Sequence, residues 1–409
     1  MKILLVSQYF WPETFLINDL VVCLQEQGHY IEVVTGKPNY PEGELFAGYV
    51  ARGCTTEQFN DTVLVHRVPL IPRGKGRGIR RILNYFSFVV SGTLFAHRSL
   101  KSQSFDAILV YIPSPITAVI PAIFLKKKLE APLAVWVQDL WPESASATGY
   151  LHNKRLLAIL ERLVRWIYAK SDWLLVQSKG FIEPVARYVS REKIVYYPNS
   201  YRDSIADYQL SVLPNKLSTL LQTYQCLVFA GNLGSAQSVE TLVEAAQRLR
   251  HIPQCKIVIV GSGSLSGWLS ERISHLQLDN IVMAGRFPPE VMPTIFHHAT
   301  ALLVTLKKAE IFTYTIPSKI QAYLAAGKPI IAALDGEGAK VIEEAGVGLC
   351  GPAEDAAALA VHCAAILKMS AAERQSMGEA GRVYFLEHFE MVSQSKRLIE
   401  ILQTPAFFR

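Results

Sequence analysis

Long apolar runs, paired cysteines and a glycine-rich first turn are all missing from this 409-residue chain. A spanning helix needs roughly 20 uninterrupted apolar residues. The longest candidate, Ile82 to Ala96, is shorter and is broken by Asn84, Ser87, Ser91 and Gly92, so no transmembrane helix is expected. The apolar start, Lys2 to Ser7, is too short for a signal peptide and meets Trp11-Pro12-Glu13 at once; it reads as a first β-strand. Cys23, Cys54, Cys226, Cys255, Cys350 and Cys363 form no close pair, which fits neither a disulfide framework nor a metal site and points to a reducing, cytoplasmic compartment. Charge is scarce too. Charged residues make up 19% of the chain against 50% hydrophobic, a balance that hints at a membrane-facing surface.

The net charge of +6 is modest but unevenly placed. Arg67, Arg73, Lys75, Arg77, Arg80, Arg81, Arg98 and Lys101 crowd one part of the first half, opposed between residues 60 and 105 only by Asp61. Arg73 to Arg81 is a glycine-rich basic loop that feeds the apolar, aromatic run Ile82 to Val90. Near an anionic leaflet each basic residue contributes about 1 kcal/mol, and an apolar helix face can lie in the interface. Arg73, Lys75, Arg77, Arg80 and Arg81 are therefore candidates for an anionic membrane surface, the alternative being a solvated loop beside a buried helix. Nucleic acid is not expected, since no second basic motif supports it.

A chain of this length predicts two domains. Short β-branched runs alternate with longer amphipathic segments, the pattern of βαβ units and parallel sheets. One series predicts strands at Lys2–Ser7, Tyr30–Thr35, Val63–Pro69, Phe105–Ile112, Leu133–Gln138, Trp173–Gln177 and Lys193–Tyr197. A second predicts Cys226–Ala230, Lys256–Val260, Asn280–Ala284, Ala301–Thr305 and Pro329–Ala333. Helices include Phe15–Gln27, closed by Gly28, and Lys154–Lys170, while Ala371 to Leu402 reads as two helices jointed near Gly381 and Phe389. The periodicity breaks between Asn199 and Tyr224. The fold class is thus α/β, with two Rossmann-like, doubly wound parallel-sheet domains, 1–203 and 204–387, and a terminal helix over 388–409. Open α/β sheets bind ligands beyond their carboxyl edges, so an interdomain cleft is the expected site.

Chemistry-bearing residues gather at those edges. The first strand runs into Gln8-Tyr9-Phe10-Trp11-Pro12-Glu13 without the glycines of a dinucleotide fingerprint, which excludes a nicotinamide dehydrogenase. The strand at Leu133 ends in Gln138-Asp139-Leu140-Trp141-Pro142-Glu143, again delivering acids and an aromatic. Capping of the next helix is the alternative role for these acids. In the second series, Gly231-Asn232-Leu233-Gly234 to Gln237 and Gly261-Ser262-Gly263 leave strands through glycines that let a phosphate approach the backbone. Thr313 to Ile331 reads as a loop, a helix opening with Ser318 and Lys319, a Gly327 cap and a buried strand. A lysine in a first turn opposes the helix dipole, so an anionic ligand explains it better than helix stability does.

That stretch, with the two glycine loops, resembles the donor domain of the large retaining glycosyltransferase family, family 4 type, whose fold is called GT-B. Ser7 to Glu13, Gly36-Lys37-Pro38-Asn39-Tyr40-Pro41 and Gln138 to Glu143 resemble the subgroup that builds bacterial O-antigen and capsule units, including WbuB-type N-acetyl-L-fucosamine transferases. The resemblance implies a UDP-sugar donor, retention without a bound metal or other cofactor, and a C-terminal helix that crosses back to the first domain.

Three departures stand out. The family's paired glutamates correspond to Tyr314 and Ala322, leaving Glu310 or Gln321 as substitutes at the ribose. Its basic pair at the diphosphate corresponds to Asn232 and Gln237, which shifts the phosphate charge to Lys319 and Arg286. A frequent histidine corresponds to Gln138, so Asp139 becomes the polar group nearest the reacting sugar. Lys319, Asp139 and Glu13 are then the catalytic candidates. Gln138, Trp141 and Glu143 would serve a polyprenyl-diphosphate-linked saccharide acceptor at the inner face of the plasma membrane. A UDP-sugar 2-epimerase, a sugar-binding protein and a transferase that has lost catalysis remain open.

Overall fold

The computed structural model describes residues 1–60, 62–74, 78–100, 103–144, 153–203 and 211–404. They fall into two compact units, Met1–Asn199 with Met391–Arg409, and Ser200–Glu390.

The first unit is built on eight strands: β1 (Lys2–Val6), β2 (Tyr30–Gly36), β3 (Thr55–Phe59), β4 (Val63–Val68), β5 (Ala107–Ile112), β6 (Leu133–Val137), β7 (Trp173–Val176) and β8 (Ile194–Tyr196). Their order is β3-β4-β2-β1-β5-β6-β7-β8, parallel throughout except for the β3–β4 pair. Parallel strands covered on both faces read as continuous apolar runs. All six residues of β5 are buried accordingly. The helix Met391–Gln403 belongs to this unit. Its Leu398, Ile399 and Leu402 share a core with Ile17, Leu20 and Leu24 of the helix Leu16–Glu26. Tyr197 Oη donates to the Gln394 carbonyl at 3.2 Å, and Arg397 donates to the Tyr196 carbonyl at 2.9 Å.

The second unit carries β9 (Gln225–Ala230), β10 (Cys255–Val260), β11 (Ile281–Gly285), β12 (Ala301–Thr305), β13 (Ile330–Ala333) and β14 (Gly348–Gly351), all parallel in the order β11-β10-β9-β12-β13-β14. Period-two alternation splits β9 between two cores. Leu227 and Phe229 face one, Cys226, Val228 and Ala230 the other. The chain moves outward from β9 first to β10 and β11, then to β12 on the opposite side, so the end of β9 is a topological switch point. In the first unit β1 holds the same place, between β2 and β5.

Three elements lie outside the sequence-derived pattern. β3 is a polar edge strand, Thr-Thr-Glu-Gln-Phe, and β14 is four residues bounded by glycines, so neither carries an apolar run. The helix Asn215–Thr223 buries only Leu217 and Leu221, one turn apart, inside the stretch expected to lack regular structure. Gly381 is inside the helix Ala371–His388 and not at its end. A Cβ there would stand 2.3 Å from a Val347 methyl, so its glycine permits close packing. Among the described residues no single helix is long and apolar enough to cross a membrane.

Candidate functional site

In the second unit the two glycine loops interlock at the switch point. Leu233 N donates to the Ser262 carbonyl at 3.0 Å and Leu265 N to the Leu233 carbonyl at 2.9 Å. Gly261 has φ +143°, and a Cβ there would sit 1.9 Å from the Gly231 carbonyl oxygen, so only glycine fits. The amides of these loops are partly spent within the protein. Gly231 N donates to Val260, Gly261 N to Gly285 and Gly263 N to the Ser266 hydroxyl. Gly231, Gly234, Gly261 and Gly263 therefore supply clearance, while Asn232 lies folded against Gly234 and Gly263.

Lys319 reaches the same spot from the first turn of the helix Ser318–Ala325. Its Nζ donates to Gln237 Oε1 at 2.6 Å, stands 3.8 Å from the Phe229 ring centroid, and would be 3.4 Å from a Cβ on Gly231. Gln237 is held in turn by Thr305, whose hydroxyl donates to the Gln237 carbonyl at 2.5 Å. Among the described residues no carboxylate faces the ammonium, and burial lowers its pKa to about 7. One helical turn on, Tyr323 Oη accepts from Ala230 N at 2.8 Å and pins the helix to the end of β9. Phe229, Thr305 and Tyr323 escaped the sequence reading. The i, i+4 spacing of Lys319 and Tyr323 was the available signal.

The other donor candidates divide. Arg286 is exposed after β11, and Ser318 is exposed at the helix start. Tyr314 Oη donates to Glu310 Oε1 at 2.7 Å, tying the position that replaces one family glutamate to a candidate for the ribose. Gln321 is corrected: it is buried, and its amide nitrogen serves the Pro317 and Ser318 carbonyls at 3.0 and 2.9 Å. It braces the helix start.

In the first unit Glu13 is buried, with Oε1 accepting from Asn39 N and Tyr40 N, both at 2.7 Å, and Oε2 from Phe10 N at 3.3 Å. Burial outweighs those bonds and raises its pKa to about 7. Both oxygens are spent on loop amides, so Glu13 ties the loop after β1 to the loop after β2. Asp139 lies at the end of β6, with β5 separating it from the β1 loop. Burial lifts its carboxyl to about 6. Around it Gln138 Nε2, Trp141 Nε1 and Glu143 Oε2 are buried without hydrogen-bond partners among the described residues, and Glu143 Oε1 is 3.9 Å from Arg187. Gln177 Nε2 donates to the Gln138 carbonyl at 2.7 Å, and Gln177 Oε1 accepts from Asn199 Nδ2 at 3.1 Å; Asn199 Oδ1, which the sequence did not point to, is another atom with no partner among the described residues.

The basic group also divides. Arg73 stands among aromatics, 3.4 Å from Tyr9 Oη and 5.1 Å from the Tyr40 ring centroid, so it belongs with the loops after β1 and β2. Arg80 packs along Gly74, and Arg81 is half-buried in the next helical position. Lys75 and Arg77 lie outside the described residues. Among the described residues no group of three or more metal-ligating side chains assembles.

Residues 16–200 match the family described as Glycosyl transferase 4-like domain, and residues 218–384 match Glycosyl transferases group 1. The chain belongs to the glycosyltransferases that join these two domains in the GT-B fold, and it is an enzyme of that class. It is 26% identical over 344 residues to WcaI of Escherichia coli (strain K12), a protein assigned as a glycosyl transferase of colanic acid biosynthesis, covering 80% of this chain and 82% of that one. Two solved structures share the fold. HepE of Anabaena, crystallised with UDP, has a TM-score of 0.69 at 13% identity, covering 99% of this chain and 100% of its own. An α,α-trehalose-phosphate synthase (UDP-forming) from Burkholderia vietnamiensis has a TM-score of 0.72 at 14% identity with coverages of 99% and 100%.

Proposed function

We propose that the protein transfers an N-acetylated hexosamine or deoxyhexosamine, such as N-acetyl-L-fucosamine, with retention, from a UDP-sugar to a polyprenyl-diphosphate-linked saccharide of bacterial O-antigen or capsule. It would act without a metal or other cofactor, as a peripheral protein on the cytoplasmic face of the plasma membrane. The observation that carries the reading is Lys319: a desolvated ammonium with an amide for a partner, aimed at glycines that leave the backbone open. A diphosphate supplies the missing counter-charge. The assignment of WcaI to colanic acid synthesis and the UDP bound to HepE support the pathway and the nucleotide.

In the reaction the acceptor hydroxyl forms the new bond to the anomeric carbon on the face that the diphosphate leaves. The departing phosphate oxygen takes the hydroxyl proton. Charge accumulating on the diphosphate meets Lys319, with Arg286 contributing from the rim, and such preorganised stabilisation is worth about 100-fold to 1,000-fold per donor removed. Asp139 orients an acceptor or donor hydroxyl, flanked by the unpartnered polar atoms of Gln138, Trp141 and Glu143. Glu13 acts at one remove by holding its loop. Thermal denaturation with UDP, GDP and ADP tests the donor: UDP should raise the melting temperature most, by mass action on the folded state. A response to GDP alone, or to none, would remove the UDP-sugar assignment.

A further inference from the structure

The helix Ile79–Ser99 exposes Ile79, Ile82, Leu83, Phe86, Val90 and Leu94 along one stripe. Beside that stripe, still within the first unit, runs a groove of about 670 Å³, inside the 300–1,000 Å³ range of small-ligand sites. Val90, Leu94 and Phe95 form one wall, and Leu70 and Ile71 the other. The hydroxyls that reach it are already used. Ser91 Oγ donates to the Ser87 carbonyl at 2.7 Å; Ser87 Oγ donates to Asn84 O at 2.8 Å and accepts from Ile71 N at 2.9 Å. A polar ligand would find no partner along these walls, whereas hydrocarbon would lose nothing. Arg52 and Arg98 also line the groove, both exposed, and neither forms an ion pair or hydrogen bond among the described residues. Apolar walls with two free cations complement an anionic amphiphile of one chain.

We propose that this groove holds the chain of an isoprenoid phosphate, with its phosphate at Arg52 and Arg98. The inference rests on the lipid-linked acceptor proposed above and gives that acceptor's hydrocarbon a place on the protein. Val90 and Leu94 belong to both the groove and the exposed stripe, so a chain leaving the groove passes directly onto the face offered to lipid.

Farnesyl monophosphate, kept below its aggregation concentration, is the probe for calorimetric titration against the full chain. Saturable one-to-one binding is expected, at least tenfold tighter than for geranyl phosphate, since each buried methylene contributes about fourfold. Farnesol should bind at least tenfold more weakly, and the R52E/R98E variant should reduce farnesyl phosphate to the level of farnesol. Ser91→Phe, which fills the groove from its helix wall, should abolish binding. The UDP-induced melting shift, measured on every variant, reports folding and the donor site independently. Loss of that shift in the wild type strikes the donor reading. An intact shift with no saturable farnesyl phosphate binding, or with binding unchanged in Ser91→Phe, overturns the groove and leaves the helix as a membrane contact alone.

Discussion

Lys319 is an expensive residue to keep. It is desolvated against Phe229, it opposes the dipole of its own helix, and its partner is an amide where a carboxylate would stabilise it. Lys319→Met should therefore raise the melting temperature of the ligand-free protein while erasing its response to UDP, the exchange of stability for function expected at a binding site. Lys319→Ala should lower kcat/KM by about 100-fold or more. The pH dependence has a definite sign. With a folded-state pKa of about 7 against an ordinary 10.5, the unfolded chain binds the extra proton between those values, so this group makes stability rise with pH there. Donor binding recharges the amine, so UDP affinity should fall across the same interval, by at most about tenfold per pH unit. Isothermal titration at pH 6.5, 8 and 9 reads this directly, and a flat profile would remove the lysine from the phosphate site. Asp139 makes a separate prediction. Its carboxyl, lifted to about 6, should give kcat/KM an acid limb near that pH. Asp139→Asn should erase the limb and lower kcat about 100-fold, the cost of a misplaced reactant, while UDP affinity stays within about twofold. A larger loss of UDP affinity than of turnover would move Asp139 to the donor.

The helix Ile79–Ser99 carries the membrane proposal. Its exposed stripe is apolar and Arg80 is exposed beside it, so Ile82→Glu with Phe86→Glu alters the surface without touching the core. The double variant should no longer sediment with phosphatidylglycerol vesicles, and Arg80→Gln should weaken sedimentation about fivefold, the equivalent of about 1 kcal/mol. Sedimentation of the double variant at the wild-type level would sink the proposal. This helix was legible in outline because its basic loop and aromatic run are contiguous in the chain. Lys154–Lys170 was legible to the residue, since Asn153 caps it with bonds to Arg155 N and Leu156 N and its apolar positions recur at helical spacing. β3 and β14 were not, because an edge strand and a glycine-bounded strand borrow their stability from neighbours. The same division runs through the site. Gly261 and Lys319 announce themselves by residue type and position. Glu13 and Gln321 looked equally functional, and only their buried hydrogen bonds show that backbone groups already occupy them.

At the scale of the whole molecule the chain completes its first unit last. Residues 1–199 form the sheet, but the helix Met391–Gln403 arrives only after all of the second unit has been made. Met391, Leu398, Ile399 and Leu402 are each at most 8% exposed. At about 2 kcal/mol apiece their burial contributes about 8 kcal/mol, comparable with the 5–15 kcal/mol that hold a typical domain together. Ending the chain at Glu390 would also strip Tyr197, a fully buried side chain, of its acceptor at Gln394. Five of the six tryptophans lie in the first unit, and Trp136 packs edge-on against Tyr197 with ring centroids 4.9 Å apart and donates Nε1–H to its carbonyl. Tryptophan emission is thus a local gauge of that unit. The truncated chain should emit at longer wavelength under conditions where the full chain is native, while UDP still stabilises what remains, because Lys319 and both glycine loops lie within Ser200–Glu390. The Leu398→Ala and Leu402→Ala pair should reproduce the effect in milder form, each substitution costing about 2–5 kcal/mol. Native emission from the truncated chain would mean that the sheet holds its fold without the helix, and loss of the UDP response would mean that the donor site depends on residues outside its own unit.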